Sequence, residues 1–341
     1  MPFNFLHRIR RAAGARSAAL SAAAPGVVLG AVLAAAPAAA ASDGPRTLRF
    51  LTGQPAGVYY EVGSRLQRRV NANLADHGLM LSTVATTGSE ENGRRLLSGE
   101  SDLAIMQADV VERIVADHLA QTGGTNLPPL KVLAMLMEEW VVLVARGPVA
   151  SPAELAGRRV AFGAPGSGTR FTALRLLEAA GVPASSLRES SAAASRLSER
   201  ADLFCRGRID AAAFVMSLPN PVLRRLVERC GARVVPLSGP AMASLAEASP
   251  AYALAATPAA SAAPGVTTVQ VRAALVQAAL GRLEGETLLS AAFAPAGANA
   301  LNRVVWTGWT GEDAAAIAPL PAADAAKAFF GAPAGGPPPE D

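Results

Sequence analysis

One stretch constrains this chain more than any other: Arg159 to Gly181, RVAFGAPGSGTRFTALRLLEAAG. Val160, Ala161 and Phe162 read as the end of a buried strand, and Gly163 to Thr169 is a tight loop of small residues. Phe171, Leu174, Leu177 and Ala180 then recur at helical spacing. A strand that turns through a glycine loop into a helix points several backbone N–H groups at one place. That place is also the positive end of the helix dipole, where an anion or carboxylate is stabilised. Ser167 and Thr169 add hydroxyls that cap the helix or bind a ligand oxygen. The loop is expected to be half of a small-molecule site; the competing reading is an ordinary strand-to-helix turn.

Two enzymatic lookalikes fit poorly. Gly163 to Gly168 has the glycine spacing of a phosphate-binding loop, but Thr169 stands where the lysine is required. The nucleophile elbow Gly-x-Ser-x-Gly fails because Gly166 and Gly168 directly flank Ser167. An exported hydrolase using Ser167 is therefore the weakest of the alternatives.

The same junction recurs upstream. Arg46 to Leu51 reads as a strand and runs through Thr52–Gly57 into a helix from about Val58 to Leu74. Tyr59 and Tyr60 lie in its first turn, where one ring can lie over a ligand and its hydroxyl can bond it. Leu79 to Ala85 is a second strand, followed by Thr86-Thr87-Gly88-Ser89 and a helix through Leu97, with Ser89 as its expected N-cap. Asp102 to Met106 is a third strand, and Gln107 and Asp109 open the next helix. Strands alternating with helices predict a parallel sheet with ligands beyond the strands' carboxyl ends.

Further on, Leu130 to Met137 and Trp140 to Ala145 are two extended apolar runs. Gly147-Pro148 makes a hinge, and Ser151 to Glu154 a helix cap with proline at the first position. A second αβ unit spans 147–240, and Val266 to Val276 is a strand returning to the first. Thr287 to Phe293 forms part of a helix, and Trp306 and Trp309 read as packing residues. The expected architecture is α/β: lobe I from 46–146 plus about 241–330, lobe II from 147–240, and a disordered Gly/Pro-rich tail at 331–341.

Residues 1–41 are expected to be a signal peptide. Arg8, Arg10, Arg11 and Arg16 form a basic start without acids, an Ala/Val/Leu segment follows, and Ala38 to Ala41 suits a signal peptidase. These arginines are the segment's only charged residues, so the formal +4 of the whole chain falls to zero once they leave. The basic balance belongs to targeting and gives no support for nucleic acid as a partner. Cys205 and Cys230, an even pair in an exported chain, are expected to form a disulfide; two buried thiols are the alternative. A bridge would close a loop of about 26 residues and contribute about 3–4 kcal/mol. His77 and His118 sit near the ends of helical patterns and do not build a metal site. No catalytic residue, metal or cofactor is expected.

Together these motifs resemble the TAXI family, the extracytoplasmic solute receptors of TRAP transporters. Thr52-Gly53, Gly57-Val58-Tyr59-Tyr60 and Gly63 are similar to its first glycine–tyrosine motif, and Thr86-Thr87-Gly88-Ser89 with Glu91-Asn92 to its second. Leu97, Gly99, Asp102 to Ala104, Gln107 and Asp109 continue the pattern, and Pro165-Gly166-Ser167-Gly168-Thr169 is its most specific piece. Ile209-Asp210-Ala211 resembles the strand after the family's cysteine-bearing helix. Two places depart: Ser217-Leu218-Pro219 stands where members carry Gly-His-Pro, and Ala56 replaces a frequent glycine.

The resemblance implies a two-lobed periplasmic binding protein of type II-like fold. It would be a monomer that is not an enzyme, closing over a small anionic solute such as an amino acid or organic acid. Its partner would be a TRAP membrane permease, or alternatively a membrane sensor. Carried over by residue, the ligand contacts are expected at Gly57, Val58, Tyr59, Tyr60, Gly88, Ser89, Gln107, Gly166, Ser167, Gly168 and Thr169, with Tyr59 or Tyr60 as a lid.

Overall fold

A computed structural model describes residues 44–55, 57–124, 126–189, 196–278, 280–293, 320 and 324. The expected signal peptide, Ala56, Trp306, Trp309 and the expected tail lie outside the described residues.

Two similar αβ units share one sheet. In the first, β1 (Arg46–Leu51) pairs in parallel with both β2 (Leu79–Val84) and β3 (Leu103–Gln107). Connecting them are α1 (Val58–Ala72), a single turn α2 (Leu74–His77), and α3 (Ser89–Leu97); α4 (Ala108–Gln121) follows β3. The second unit repeats the plan. After a long strand β4 (Lys131–Arg146), β5 (Arg159–Ala161) pairs in parallel with β6 (Arg188–Glu189) and β7 (Ala211–Met216). Its helices are α5 (Gly168–Ala179), α6 (Leu197–Cys205) and α7 (Pro221–Cys230). There follow β8 (Ala232–Val235), α8 (Pro240–Ala248), β9 (Tyr252–Ala256), β10 (Thr267–Gln277) and α9 (Arg282–Phe293).

The spine of the sheet is the antiparallel pair β4–β10, which pairs from Lys131↔Gln277 to Val141↔Val269 with two shifts of register, at Ala273/Ala274 and Leu275/Val276. β3 joins the C-terminal half of β10, and β7 joins the C-terminal half of β4, both antiparallel. The order is β2-β1-β3-β10-β4-β7-β5-β6, with β8 on β4 and β9 on β10. The all-parallel sheet expected from strand–helix alternation is therefore corrected to a mixed one. The parallel runs are local to each unit, and the two long strands between them run the other way.

Burial follows from this layering. β3, LAIMQ, is buried at every position because helices cover both faces of the sheet. α1 buries Tyr59, Val62, Gly63, Leu66 and Val70, the one stripe that a helical period allows. The apolar interior separates into regions along the spine. Leu133, Leu136, Met137, Ala273 and Leu275 pack with the first unit, whereas Val141, Leu143, Val269 and Val271 pack with the second. The fold is α/β and two-lobed, with β4 and β10 crossing from one lobe to the other.

Three local expectations change. The apolar runs 130–137 and 140–145 are one 16-residue strand, because Glu138 and Glu139 continue the backbone ladder opposite Arg272 and Val271. The turn at 152–155, expected as a helix cap with proline at the first position, is a 3₁₀ turn with a capping box from Ser151 and Glu154. Ser89 is the first residue of α3 rather than its cap; Gly88 precedes the helix, and the Ser89 hydroxyl accepts the N–H of Gln107 at 3.0 Å. Cys205 and Cys230 are joined in a disulfide that ties the ends of α6 and α7.

Candidate functional site

Because β1, β2 and β3 run in parallel, the loops leaving them emerge on one side; the loops leaving β5, β6 and β7 do the same. A cavity of about 420 Å³ opens where the two groups of loops face each other. Gly53, Gln54, Pro55, Gly57, Val58 and Tyr59 line it from the turn after β1. Thr87, Gly88 and Ser89 enter after β2, and Gln107 at the end of β3. The opposite wall has Ser167, Gly168 and Thr169 after β5, Arg196 to Ser198 and Arg200 after β6, and Val215 and Val222 around β7. Glu139, from the middle of β4, reaches it from the spine.

Of the positions expected from sequence, Gly57, Val58, Tyr59, Gly88, Ser89, Gln107, Ser167, Gly168 and Thr169 line this cavity. Tyr60 and Gly166 are not among its lining residues. Tyr60 is half-buried on another side of α1. Gly166 turns its carbonyl to the N–H of Glu91 at 3.1 Å, a contact that joins the two units beside the cavity.

The first turns of α1 and α5 bring backbone N–H groups to the cavity wall, where no preceding helical turn supplies an acceptor. Ser167 caps α5 by accepting the Arg170 N–H at 3.2 Å. The loops pack so closely that side chains are excluded. A Cβ on residue 168 would fall 1.9 Å from Gln107 Oε1 and 2.8 Å from Ser89 Oγ. At Gly163, with φ of +112°, a Cβ would fall 3.0 Å from Ser167 Oγ and 3.1 Å from Arg200 Nη1. The Arg200 guanidinium therefore lies against the glycine loop. It is 4% exposed, stacks 5.1 Å from the Phe214 ring, and burial pulls its pKa down to about 10.

Tyr59 is not a lid. It is 9% exposed and donates its hydroxyl to Glu139 Oε2 at 2.6 Å, which makes it part of the floor. Burial raises the Tyr59 pKa well above its usual value, and the Glu139 charge adds to this. Glu139 itself is pushed up to about 7 by burial; the Tyr59 hydrogen bond opposes that rise and the nearby Asp109 charge reinforces it.

Behind the cavity a buried polar cluster joins the units. Gln107 Nε2 donates to Thr172 Oγ1 at 2.7 Å, and Thr172 donates to Asp109 Oδ2 at 2.5 Å. The Tyr252 hydroxyl donates to the same oxygen at 2.8 Å, and the Val110 N–H to Oδ1 at 2.9 Å. Burial raises Asp109 to about 6 against the hydrogen bonds from Thr172, Tyr252 and Val110 and the Arg175 charge. Thr172 sits on α5 and Asp109 on α4, so the position of the glycine loop is coupled to the end of β3.

Sequence reading missed Glu139 and Arg200. Glu139 has a signal: paired acids in the middle of a long apolar run mark a buried carboxylate. Arg200 has a subtler one, since α6, the helix that follows β6 in the second unit, corresponds in order to α3, which follows β2 in the first. Among the described residues, no group of three or more His, Cys, Asp or Glu could hold a metal ion. No helix there is long and apolar enough to cross a membrane.

A sequence model of the NMT1-like family matches residues 50–279, which takes in both units and every wall of the cavity. The chain belongs to the NMT1-like family. Solved structures to which the chain is similar include the alkanesulfonate-binding protein SsuA from Xanthomonas axonopodis pv. citri bound to MOPS, at 16% identity and TM-score 0.44 over 76% of each chain. The periplasmic aliphatic sulphonate binding protein SsuA from Escherichia coli is 18% identical, with TM-score 0.41 over 80% of this chain and 89% of that one. PhnD1 from Prochlorococcus marinus, in complex with methylphosphonate, is 14% identical, with TM-score 0.45 over 72% of this chain and 84% of that one.

Proposed function

We propose that this NMT1-like chain is an exported solute receptor of the TAXI type. It captures a small solute with an acidic group between its two lobes and presents it, unaltered, to a TRAP permease in the membrane. The observation that carries the reading is the convergence on one cavity of the first turns of α1 and α5, the end of the glycine loop at Ser167–Thr169 and the buried cation Arg200. Fixed N–H dipoles and guanidinium groups hold an anionic group without chemistry. The apolar walls at Val58, Leu197, Val215 and Val222 suit the rest of a small molecule. Lobe I is taken as 46–146 plus about 241–330 and lobe II as 147–240, hinged near Gly147 and again near 240.

The test is thermal unfolding of the purified chain from residue 42, the expected mature start, with amino acids, keto acids and dicarboxylates. A true solute at a hundredfold excess over its dissociation constant stabilises the fold by about 2.7 kcal/mol. Flat melting curves across the whole panel refute the reading. Capture of a permease subunit rather than a sensor's extracytoplasmic domain by the liganded protein supports the transport role.

A further inference from the structure

Where the strands of the second unit begin, the charges do not balance. β4 ends at Arg146 beside the start of β8 and the residues that lead into β7: Ala232 pairs with Arg146, and the Arg146 N–H donates to the Asp210 carbonyl at 2.9 Å. β5 and β6 begin next to them, with Arg159 opposite Arg188. The Cys205–Cys230 bridge, with Cα atoms 4.9 Å apart, holds the ends of α6 and α7 together at the same edge. Arg159, Arg188, Arg206, Arg208, Arg229 and Arg233 are all exposed on this pole. The acids carried by the same turns and helix ends are Glu154, Glu178, Asp210 and Glu228. Asp210 is taken by Arg159 at 2.6 Å, and Glu154 accepts the N–H groups of Ala150 and Ser151. Arg206 and Arg229 lie at helix ends, where the dipole favours a cation. Arg188, Arg208 and Arg233, at the starts of β6, β7 and β8, pair with no carboxylate among the described residues. β4 runs to this pole from the opposite one, where β1, β2 and β3 begin. There cations meet acids: Arg46 pairs with Asp102 and Glu284, and Arg95 with Glu100.

Building on the export that the receptor reading above includes, we propose that this arginine pole is a docking face for the phosphates of an anionic lipid bilayer. Guanidinium forks take phosphate oxygens two at a time. The arginines stand on separate strand starts and helix ends, and none of them lines the cavity, so they suit a broad array of phosphates rather than one small anion. A protein partner would want an apolar centre. The exposed large apolar residues among those described, Leu97, Leu127, Leu254 and Leu283, all lie on other elements. From residue 42 onward the chain has no formal net charge, so segregation of charge, not its sum, draws the molecule to an acidic surface. The cleft opens at the carboxyl ends of β5 and β7 and the pole lies at their amino ends, so a docked molecule keeps its cavity clear of the lipid.

Sedimentation of the mature protein with sucrose-loaded vesicles tests this. The vesicles are phosphatidylcholine alone, or the same lipid with roughly one-third phosphatidylglycerol. The expected result is binding to the acidic vesicles that weakens as salt rises, and none to the neutral ones. Arg188→Gln, Arg208→Gln and Arg233→Gln together should weaken that binding roughly a hundredfold, each arginine at a charged surface being worth about fivefold. Arg49→Gln, Arg68→Gln and Arg113→Gln, at exposed positions of the first unit, remove the same charge and should weaken it far less. Equal losses from the two triple variants would make the attraction one of net charge and overturn the proposal. Absence of binding to acidic vesicles, or equal binding to both kinds, overturns it as well. Tighter binding to polyglutamate or to a DNA duplex, at matched concentration of negative charge, would give the face to an acidic protein or a nucleic acid instead. None of these outcomes involves the solute, so the receptor reading stands or falls on its own melting curves. The native protein's choice between the two vesicles needs no variant, so a triple variant that did not fold would still leave the test decisive.

Discussion

The sharpest consequence of burying the Glu139 carboxylate is that removing its charge stabilises the empty protein, and does so only above a certain pH. Glu139 has a folded-state pKa of about 7 against an ordinary value of 4.5, because burial disfavours its anion. Between those values the folded chain holds a proton that the unfolded chain has released, so stability falls as pH rises through that window. Each pH unit of separation is worth about 1.4 kcal/mol. At pH 8 the fold therefore carries a penalty of about 3 kcal/mol from this one group, and at pH 5 less than about 1 kcal/mol. Glu139→Gln removes the ionisation and keeps an amide oxygen for the Tyr59 hydroxyl, which now donates 2.6 Å to Glu139. The variant should be more stable than the native chain by about 3 kcal/mol at pH 8 and nearly equal at pH 5. Urea unfolding of ligand-free protein, followed by circular dichroism at both pH values, measures the difference. An equal effect at the two pH values, or a loss of stability at pH 8, would refute the reasoning.

Three further outcomes are expected. Gly168→Ala forces a methyl to within 1.9 Å of Gln107 Oε1, so it should cost about 1–3 kcal/mol in unfolding experiments and weaken any solute that binds the loop; a melting temperature equal to the native one would contradict the packing. Thr172→Val deletes the hydroxyl that donates to Asp109 and accepts from Gln107, which should cost about 1–3 kcal/mol and drive the Asp109 pKa higher still. Carboxyl titration by NMR would read the second effect, and an unmoved Asp109 would count against the bond. Reducing Cys205–Cys230, separated by 25 residues, should lower stability by about 3 kcal/mol, seen as a lower urea midpoint in the presence of reductant.

What could be read from sequence is what depends on near neighbours along the chain. Each strand–glycine–helix junction declares itself locally: a short apolar run, small residues that tolerate a sharp turn, then apolar residues at helical spacing. The loops at 53–59, 87–89 and 167–169 were legible for that reason, and the repeated βαβ pattern places them on one side of their strands. Pairing between distant strands leaves no such trace. β4 and β10 lie side by side although Val141 and Val269 are far apart in sequence, and nothing in either strand announces that it runs against its neighbours. The same limit hid the meaning of Tyr59. Its place in the first turn of α1 was evident, but whether its ring covers or floors the cleft depends on Glu139, which arrives from eighty residues away.

The two charged residues that escaped sequence reading share a physical cause. Glu139 contradicts the hydrophobicity of its strand, and Arg200 contradicts the burial of its helix, where it is 4% exposed. Patterns that sort residues by polarity treat both as noise. A fold tolerates such contradictions where something other than stability retains them, and in this chain both stand on the wall of one cavity. The second unit supplies the clue that a closer reading would use. β2-β1-β3 and β6-β5-β7 are the same local order, so each loop of the first unit has a counterpart in the second. If the start of α3 carries Ser89 to the cleft, the start of α6 is expected at the corresponding place, and the buried charge there is Arg200.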